Sequence, residues 1–445
     1  MAISAVPGAS PVIGHLVPLM RNPVAFMSGL AQHGDLVTIK FGLKTAYVPC
    51  TPELIRDMLF DLDTFEKTGP LFEQLSRLFG HGLALCPNDD HRRQRRLIQP
   101  AFHKHNLPAY FSSAVEATTE VIASWRDNGV LNVFAETRAL AAEVLAATIF
   151  VGTTVARQAL HAFNKQLADI LDQILWQMLL PRPFGRLPLP GNRRFQQARK
   201  NFKTILDEAV DAYLAEPSSE TTSLLYHLTQ PLTTGEKLTK EELVDQLGTF
   251  FLAGTETTAT TLSWTLHLLS QNPQYKEALY AEVDDRLAGR RPAYDDLAQL
   301  PVTTAVITET LRLYPVTAFL TRVARKPVSL GKHNIPAGAT VIFSPCIVQH
   351  RAAFFPEPEK FDPYRWVSPA PLPKGALIPF GAGPRKCIGD SFAMNNAVLF
   401  LATIATHWEF EDSSTKCVRP GFNVSPYPQH FRIRLHARDP RRRRT

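Results

Sequence analysis

Cysteine is scarce in this chain. Cys50, Cys86, Cys346, Cys387 and Cys417 are widely spaced, odd in number and form no CxxC pair. That argues against a disulfide framework and against a zinc site, and leaves one special thiol among ordinary ones as the natural reading. The first thirty residues contain no run of 18 apolar residues; Pro7, Pro11, Pro18 and Pro23 interrupt them, and a basic start is missing. Neither a membrane anchor nor a signal peptide is expected, and a cytoplasmic location follows by default. Glycine/serine linkers, repeats and low-complexity blocks are also missing. Residues 1–445 therefore read as one domain, although the length would permit two or three.

A 45% hydrophobic content supplies a substantial core. Part of the net charge of +7 is local: residues 437–445 end in Arg441 to Arg444 and read as a disordered, solvated basic tail, with no nucleic-acid partner expected. A second basic cluster, Arg92, Arg93, Arg95 and Arg96, falls inside a predicted helix. Helical periods dominate, over 52–61, 89–101, 108–126, 133–151, 155–178, 193–215, 239–271, 274–287, 302–313 and 391–407. An early hairpin is expected around Leu36–Phe41 and Thr45–Val48, with short strand-like runs near 328–342 and 422–436. Proline-rich loops over 181–190 and 356–373 read as connections. The fold class is mainly α with small β-sheets.

One cysteine has an unusual setting. The run Phe380-Gly381-Ala382-Gly383-Pro384-Arg385-Lys386-Cys387-Ile388-Gly389 places three glycines around it. Arg385 precedes the sulfur by two residues, and a predicted helix over 391–407 points its positive end back toward it. Both features favour a thiolate, which in such a loop is a metal ligand or a nucleophile.

The predicted helix over 239–271 starts with a capping box, Thr239 and Glu242, and stops at Asn272-Pro273. Its middle, Ala253-Gly254-Thr255-Glu256-Thr257-Thr258, is a poor helix former and buries an acid among Phe250, Phe251, Leu252 and Leu262. Two readings stay open: a functional kink, or a tolerated irregularity with the hydroxyls bonded back to carbonyls. Elsewhere, Glu309 and Arg312 lie one turn apart on one helical face, and Arg365 stands between aromatics in Phe361-Asp362-Pro363-Tyr364-Arg365-Trp366. Each alone is weak.

In order and spacing they are not weak. AGxET from 253, ExxR from 309, FxPxRW from 361 and FxxGxRxCxG from 380 together resemble the cytochrome P-450 family, the haem-thiolate monooxygenases. The resemblance runs over nearly the whole chain. It implies a single P-450 fold, a triangular helical body around a buried haem b. Cys387 would be the axial thiolate on iron, Phe380 would pack over the proximal haem face, and Gly383 and Gly389 would permit the tight loop. His91, Arg95, Arg322 and Arg385 would meet the haem propionates. Glu309, Arg312 and Arg365 would form a buried charged network. Ala253 and Gly254 would lie against the haem, where a larger side chain would block O2, and Glu256 and Thr257 would handle its protons. Electrons would come from NAD(P)H through a separate ferredoxin and ferredoxin reductase, because too little chain follows Gly389 for a reductase domain. Arg92, Arg93 and Arg96 read as solvated neighbours or as part of a basic docking face.

Substrate-lining candidates are Leu71, Phe72, Leu83, Thr249, Phe250, Val316, Thr317 and Phe319. They are nearly all apolar, which fits a hydrocarbon-like substrate. The stretch from Arg186 to Phe195, with that from His91 to Arg96, resembles bacterial terpene-oxidising members of the family and implies a cyclic, sesquiterpene-like substrate. A fatty-acid hydroxylase and a non-catalytic haem-thiolate sensor or electron carrier are the alternatives. The pair Glu256–Thr257 speaks against the sensor, and the threonine against a peroxide-driven enzyme.

Overall fold

A computed structural model describes residues 3–42, 44–150, 170, 190–215, 223–368, 370–422 and 425–438. Apart from Ile170, the predicted helix over 155–178 lies outside them, as do residues 181–189 of the proline-rich loop and everything after Arg438.

The fold is mainly helical with small sheets. Predicted helices form as Pro52–Phe60, Asn88–Ile98, Leu107–Ala123, Val133–Ile149, Pro190–Ala215, Lys240–Gln271, Pro273–Leu287, Pro301–Leu313 and Asp390–His407. Several begin with proline in the first turn, where its missing N–H costs nothing. The helices Leu16–Arg21, Pro23–Ser28, Pro70–Phe79, Leu224–Thr229 and Pro345–Gln349 were not expected; most are too short for a 3.6-residue period to show. The largest sheet runs Ser4–Ala5, Leu36–Phe41, Lys44–Pro49, Thr340–Phe343, Leu320–Ala324 and Phe65–Glu66, so it joins the amino-terminal segment to the strands over 320–343. A second sheet orders Trp408–Asp412, Arg432–Ala437 and Val130–Asn132.

The helix Lys240–Gln271, here called the central helix, organises the interior. Its first half puts Leu243, Val244, Leu247, Phe250, Phe251 and Leu252 into one hydrophobic core. Its second half puts Leu262, Leu266, Leu268 and Leu269 into another. The stretch from Ala253 to Thr258 is the junction between the two cores, and this is where a cavity opens. The expected capping box is present: Thr239 Oγ1 accepts from Glu242 N, and Glu242 Oε2 accepts from Thr239 N.

The hydroxyls make the back-bonds of the second reading. The central helix is continuous α-helix, and Thr257, Thr261 and Thr265 donate to the carbonyls of Ala253, Thr257 and Thr261. The hydroxyls find partners one turn back without breaking the backbone ladder. Gly254 has a packing reason: a Cβ there would stand 3.0 Å from Leu145 Cδ2 on Val133–Ile149.

The boundary set for the basic tail also moves. Ala437 belongs to a strand, and the Arg438 side chain is buried, 2.8 Å from Asp284 Oδ2 and 4.2 Å from the Tyr280 ring centre.

Candidate functional site

A cavity of about 320 Å³ runs from the cysteine loop to the junction of the central helix. Phe380, Arg385, Cys387 and Gly389 line one side; Phe250, Ala253, Gly254, Thr257 and Thr258 line the other.

The cysteine loop is closed by Cys387 N donating to Phe380 O and Lys386 N donating to Gly383 O, both at 3.0 Å. Gly383 needs its φ of +73° and its missing side chain, because a Cβ would come within 2.6 Å of the Leu59 carbonyl. Gly389 has no such need; a Cβ there would make an ordinary 3.5 Å contact with Phe102. Cys387 is exposed to the cavity. Its thiol is nonetheless pushed up in pKa, chiefly by burial, against the pull of the Gly389 N–H and of Arg95 and Lys386. The expected thiolate is therefore not set by the loop's own charges. Arg385 turns away from the sulfur: its Nη2 donates to Asn88 Oδ1 at 2.6 Å and Cys86 O at 2.8 Å. Asp390, first residue of the following helix, opposes that helix's positive end.

At the edge of the cavity His91, Arg95, Arg322 and Arg385 come together as expected, and Lys67 joins them. Arg95 Nη1 donates to Lys386 O at 2.6 Å and Pro384 O at 3.3 Å, which ties its helix to the cysteine loop. Among the described residues the Arg322 side chain, only 4% exposed, donates to Thr321 O alone. The Lys67 ammonium has the Phe72 ring at 4.9 Å and no hydrogen-bond acceptor among the described residues. Burial, then Arg385, lowers the Arg322 pKa to about 10, and burial, then Arg322 and Arg385, lowers that of Lys67. Buried donors that repel one another without matching acceptors fit a ligand carrying two carboxylates. The residues present thus suit a haem: Cys387 to hold its iron, and Arg322, Lys67, Arg95 and His91 to meet its propionates. Lys67 was missed because a lone lysine in a loop carries no motif.

His91 is neutral here. Burial, then Arg385 and Arg95, lowers its pKa from 6.5 to about 3. Between those values the unfolded chain binds a proton that the folded one refuses, so stability falls as pH falls. In haem-free protein, His91→Gln should flatten the loss of stability on acidification from pH 6.5 toward 3, by up to about 1.4 kcal/mol per pH unit. Urea midpoints across that range check it.

The charged network forms as expected and is wider. Arg312 Nε and Nη2 donate to the two oxygens of Glu309 at 2.8 Å, both residues being 0% exposed. Arg365 Nε reaches Glu309 Oε1 at 3.4 Å, and Trp366 Nε1 donates to Glu309 Oε2 at 2.8 Å. Arg312 Nη1 also caps the carbonyls of Gln349 and Pro358. Gln349 Oε1 in turn accepts from Ile378 N, two residues before the cysteine loop.

On the other side, Thr257 reaches the cavity and Glu256 does not. Glu256 is buried against the flanking helix, 3.5 Å from Arg138 Nη1; adjacent residues on a helix point about 100° apart. Leu83, Thr249, Phe250, Val316 and Thr317 line the cavity as expected. Phe72 and Phe319 do not: Phe72 is buried in the core beneath Lys67, and Phe319 packs on Phe41. The Leu71 side chain lies outside the described set. Phe102, Val144, Leu145 and Leu224 line the wall without having been singled out. Leu83 is held by a glutamine chain: its N donates to Gln246 Oε1, Gln246 Nε2 to Gln94 Oε1, and Gln94 Nε2 to His81 O. Arg93 and Arg96 are paired with Glu236, and Arg93 also with Glu242; Arg92 and Arg96 are exposed, as solvated neighbours or a docking face would be, while Arg93 is half-buried.

A cysteine loop, a cluster of cations at the cavity edge and a helix threonine opposite define a protein built around an iron-bearing ring. The family model Cytochrome P450 matches residues 5–427. Pentalenene oxygenase of Streptomyces avermitilis is 38% identical over 438 residues, covering 98% of this chain and 97% of that protein. Cyclooctat-9-en-7-ol 5-monooxygenase of Streptomyces melanosporofaciens is 38% identical over 407 residues (90% and 88%), and Cyclooctatin synthase of the same organism 36% over 428 residues (95% and 92%). The chain belongs to the cytochrome P450 family, as a haem-thiolate monooxygenase. Among the described residues no helix is long and apolar enough to cross a membrane.

Proposed function

We propose that this monooxygenase oxidises a cyclic, sesquiterpene-like terpene, with electrons delivered from NAD(P)H by a ferredoxin and its reductase. The observation that carries the reading is the cavity itself: its wall around the central helix and the Val316–Leu320 segment carries no charged side chain and only threonines as polar groups, and its cations are clustered at the other edge. A fatty-acid carboxylate has no counter-ion on the apolar wall. The relatives named for pentalenene and cyclooctatenol oxidation support the terpene class.

Haem, when bound, supplies the oxygen activation, and thiolate donation from Cys387 favours O–O cleavage. The rest belongs to the chain. The apolar wall excludes water and orients the carbon to be oxidised. Ala253 leaves room beside the helix, and Thr257 presents a hydroxyl there. In the resting arrangement that hydroxyl donates to Ala253 O; its oxygen remains an acceptor, and rotation of the side chain turns its proton toward the cavity. Glu256 acts from behind the wall, beside Arg138, rather than in contact with substrate.

Thr257→Ala should keep haem content and substrate affinity but waste electrons as peroxide or water, with product per NADPH falling roughly 10-fold or more. Unchanged coupling removes Thr257 from proton handling. Difference spectra with terpene and fatty-acid panels test the substrate class; a spin-state shift with fatty acids alone overturns it.

A further inference from the structure

The threonines along the cavity differ in what their hydroxyls do. Thr257 and Thr261 donate to carbonyls one turn back. The Thr249 hydroxyl is fully buried, and it lies so close to Gly82 that a Cβ there would be 2.2 Å from it. Thr258 is helical, and the Gly254 carbonyl one turn back is open to it by a simple rotation. Thr317 has no such recourse. It sits in the non-helical segment between the helix Pro301–Leu313 and the strand Leu320–Ala324, and its side chain has no hydrogen-bond partner among the described residues.

The segment cannot readjust to satisfy it. Tyr314, at its start, stacks on Trp264 with ring centres 3.7 Å apart. The Ala318 carbonyl accepts from Ser344 Oγ at 2.5 Å. Leu320 is registered against Phe343 in the sheet. Val316 and Ala318, on either side, are buried at 8% and 2% exposure, whereas Thr317 remains partly exposed to the cavity. A rigid support thus places a threonine on a wall whose other members here are Val316, Leu320, Phe343 and Pro345. A valine would fill the same volume without the polar atom.

We propose that Thr317 hydrogen-bonds an oxygen already present on the substrate, so that this enzyme acts on an oxygenated terpenoid, an alcohol or ketone, rather than on the parent hydrocarbon. A hydrocarbon covering Thr317 strips water from its hydroxyl and returns nothing, whereas an alcohol or carbonyl oxygen replaces that water. Such a site discriminates against the analogue lacking the polar group more strongly than an apolar pocket discriminates between sizes. In a reaction sequence, the class of reaction that supplies this substrate is an earlier oxygenation, or a cyclisation ended by water.

This rests on the terpene reading of the cavity, and the test separates the two. The haem-loaded protein is titrated with hydrocarbon and alcohol of one skeleton, cedrene against cedrol and guaiene against guaiol, following the spin-state shift. The wild type should bind the alcohol about tenfold tighter or more. In Thr317→Val the ratio should fall toward one, while Thr317→Ser should retain it, with all three sharing one Tm. Equal affinity within each pair in the wild type, or a preference that survives in Thr317→Val, overturns the proposal and leaves the terpene reading standing. No shift with any member of either pair overturns both.

Discussion

Cys387→Ser should yield a protein that folds with an unchanged Tm before haem is added, yet never shows the red-shifted band of the reduced carbon monoxide complex. Its monooxygenase turnover should fall to background. The loop that carries the sulfur is shaped by backbone bonds, Cys387 N to Phe380 O and Lys386 N to Gly383 O, and by Gly383 beneath the Leu59 carbonyl. None of these involves the side chain, so serine should occupy the same place. What serine lacks is a soft, ionisable donor, and its neutral oxygen cannot push electron density onto iron. A retained band would refute Cys387 as the ligand; a collapsed Tm would show instead that the thiol is structural.

Glu309→Gln should destabilise the protein by about 3–5 kcal/mol, the range for breaking a fully buried ion pair from one side. Arg312 would keep its charge, 0% exposed, with only neutral acceptors around it. Because Arg312 holds the Gln349 carbonyl, and the Gln349 side chain holds Ile378, the damage should reach the cysteine loop and speed haem loss. Urea midpoints at unchanged m-value, together with the rate of haem transfer to an excess of apomyoglobin, measure both. Replacing Glu309 and Arg312 together by Gln and Met should cost less than the sum of the single changes, since the fully buried Arg312 charge is gone and only the partly exposed Arg365 loses its partner. Strict additivity would mean that the two side chains act independently.

Much of this architecture was legible from residue order. The long helices declared themselves by period and by caps, the Thr239–Glu242 pair being the clearest. Cys387, Glu309, Arg312 and Arg365 were recognisable because their spacing is fixed by one loop and one helical turn. What failed needed three dimensions. Phe72 and Phe319 are apolar like true wall residues, and no composition distinguishes a side chain facing a cavity from one facing a core. Lys67 is brought to the site by a strand pairing, Glu66 with Val323, that joins distant parts of the chain. The pairing of Arg93 and Arg96 was hidden because Glu236 and Glu242 lie more than a hundred residues away. The threonine-rich middle of the central helix offered two readings of comparable cost, and the close packing of Gly254 on Leu145 is a contact that residue order does not show.

The glutamine chain that holds Leu83 also has a mechanical meaning. Gln246 sits three turns before Thr257 on the same unbroken helix, so Leu83 and the Thr257 hydroxyl are tied to one element. A guest that displaces Leu83 should therefore load that helix through the Gln246 amide, and waste of reducing power should rise with the girth of the guest even when the carbon under attack is the same.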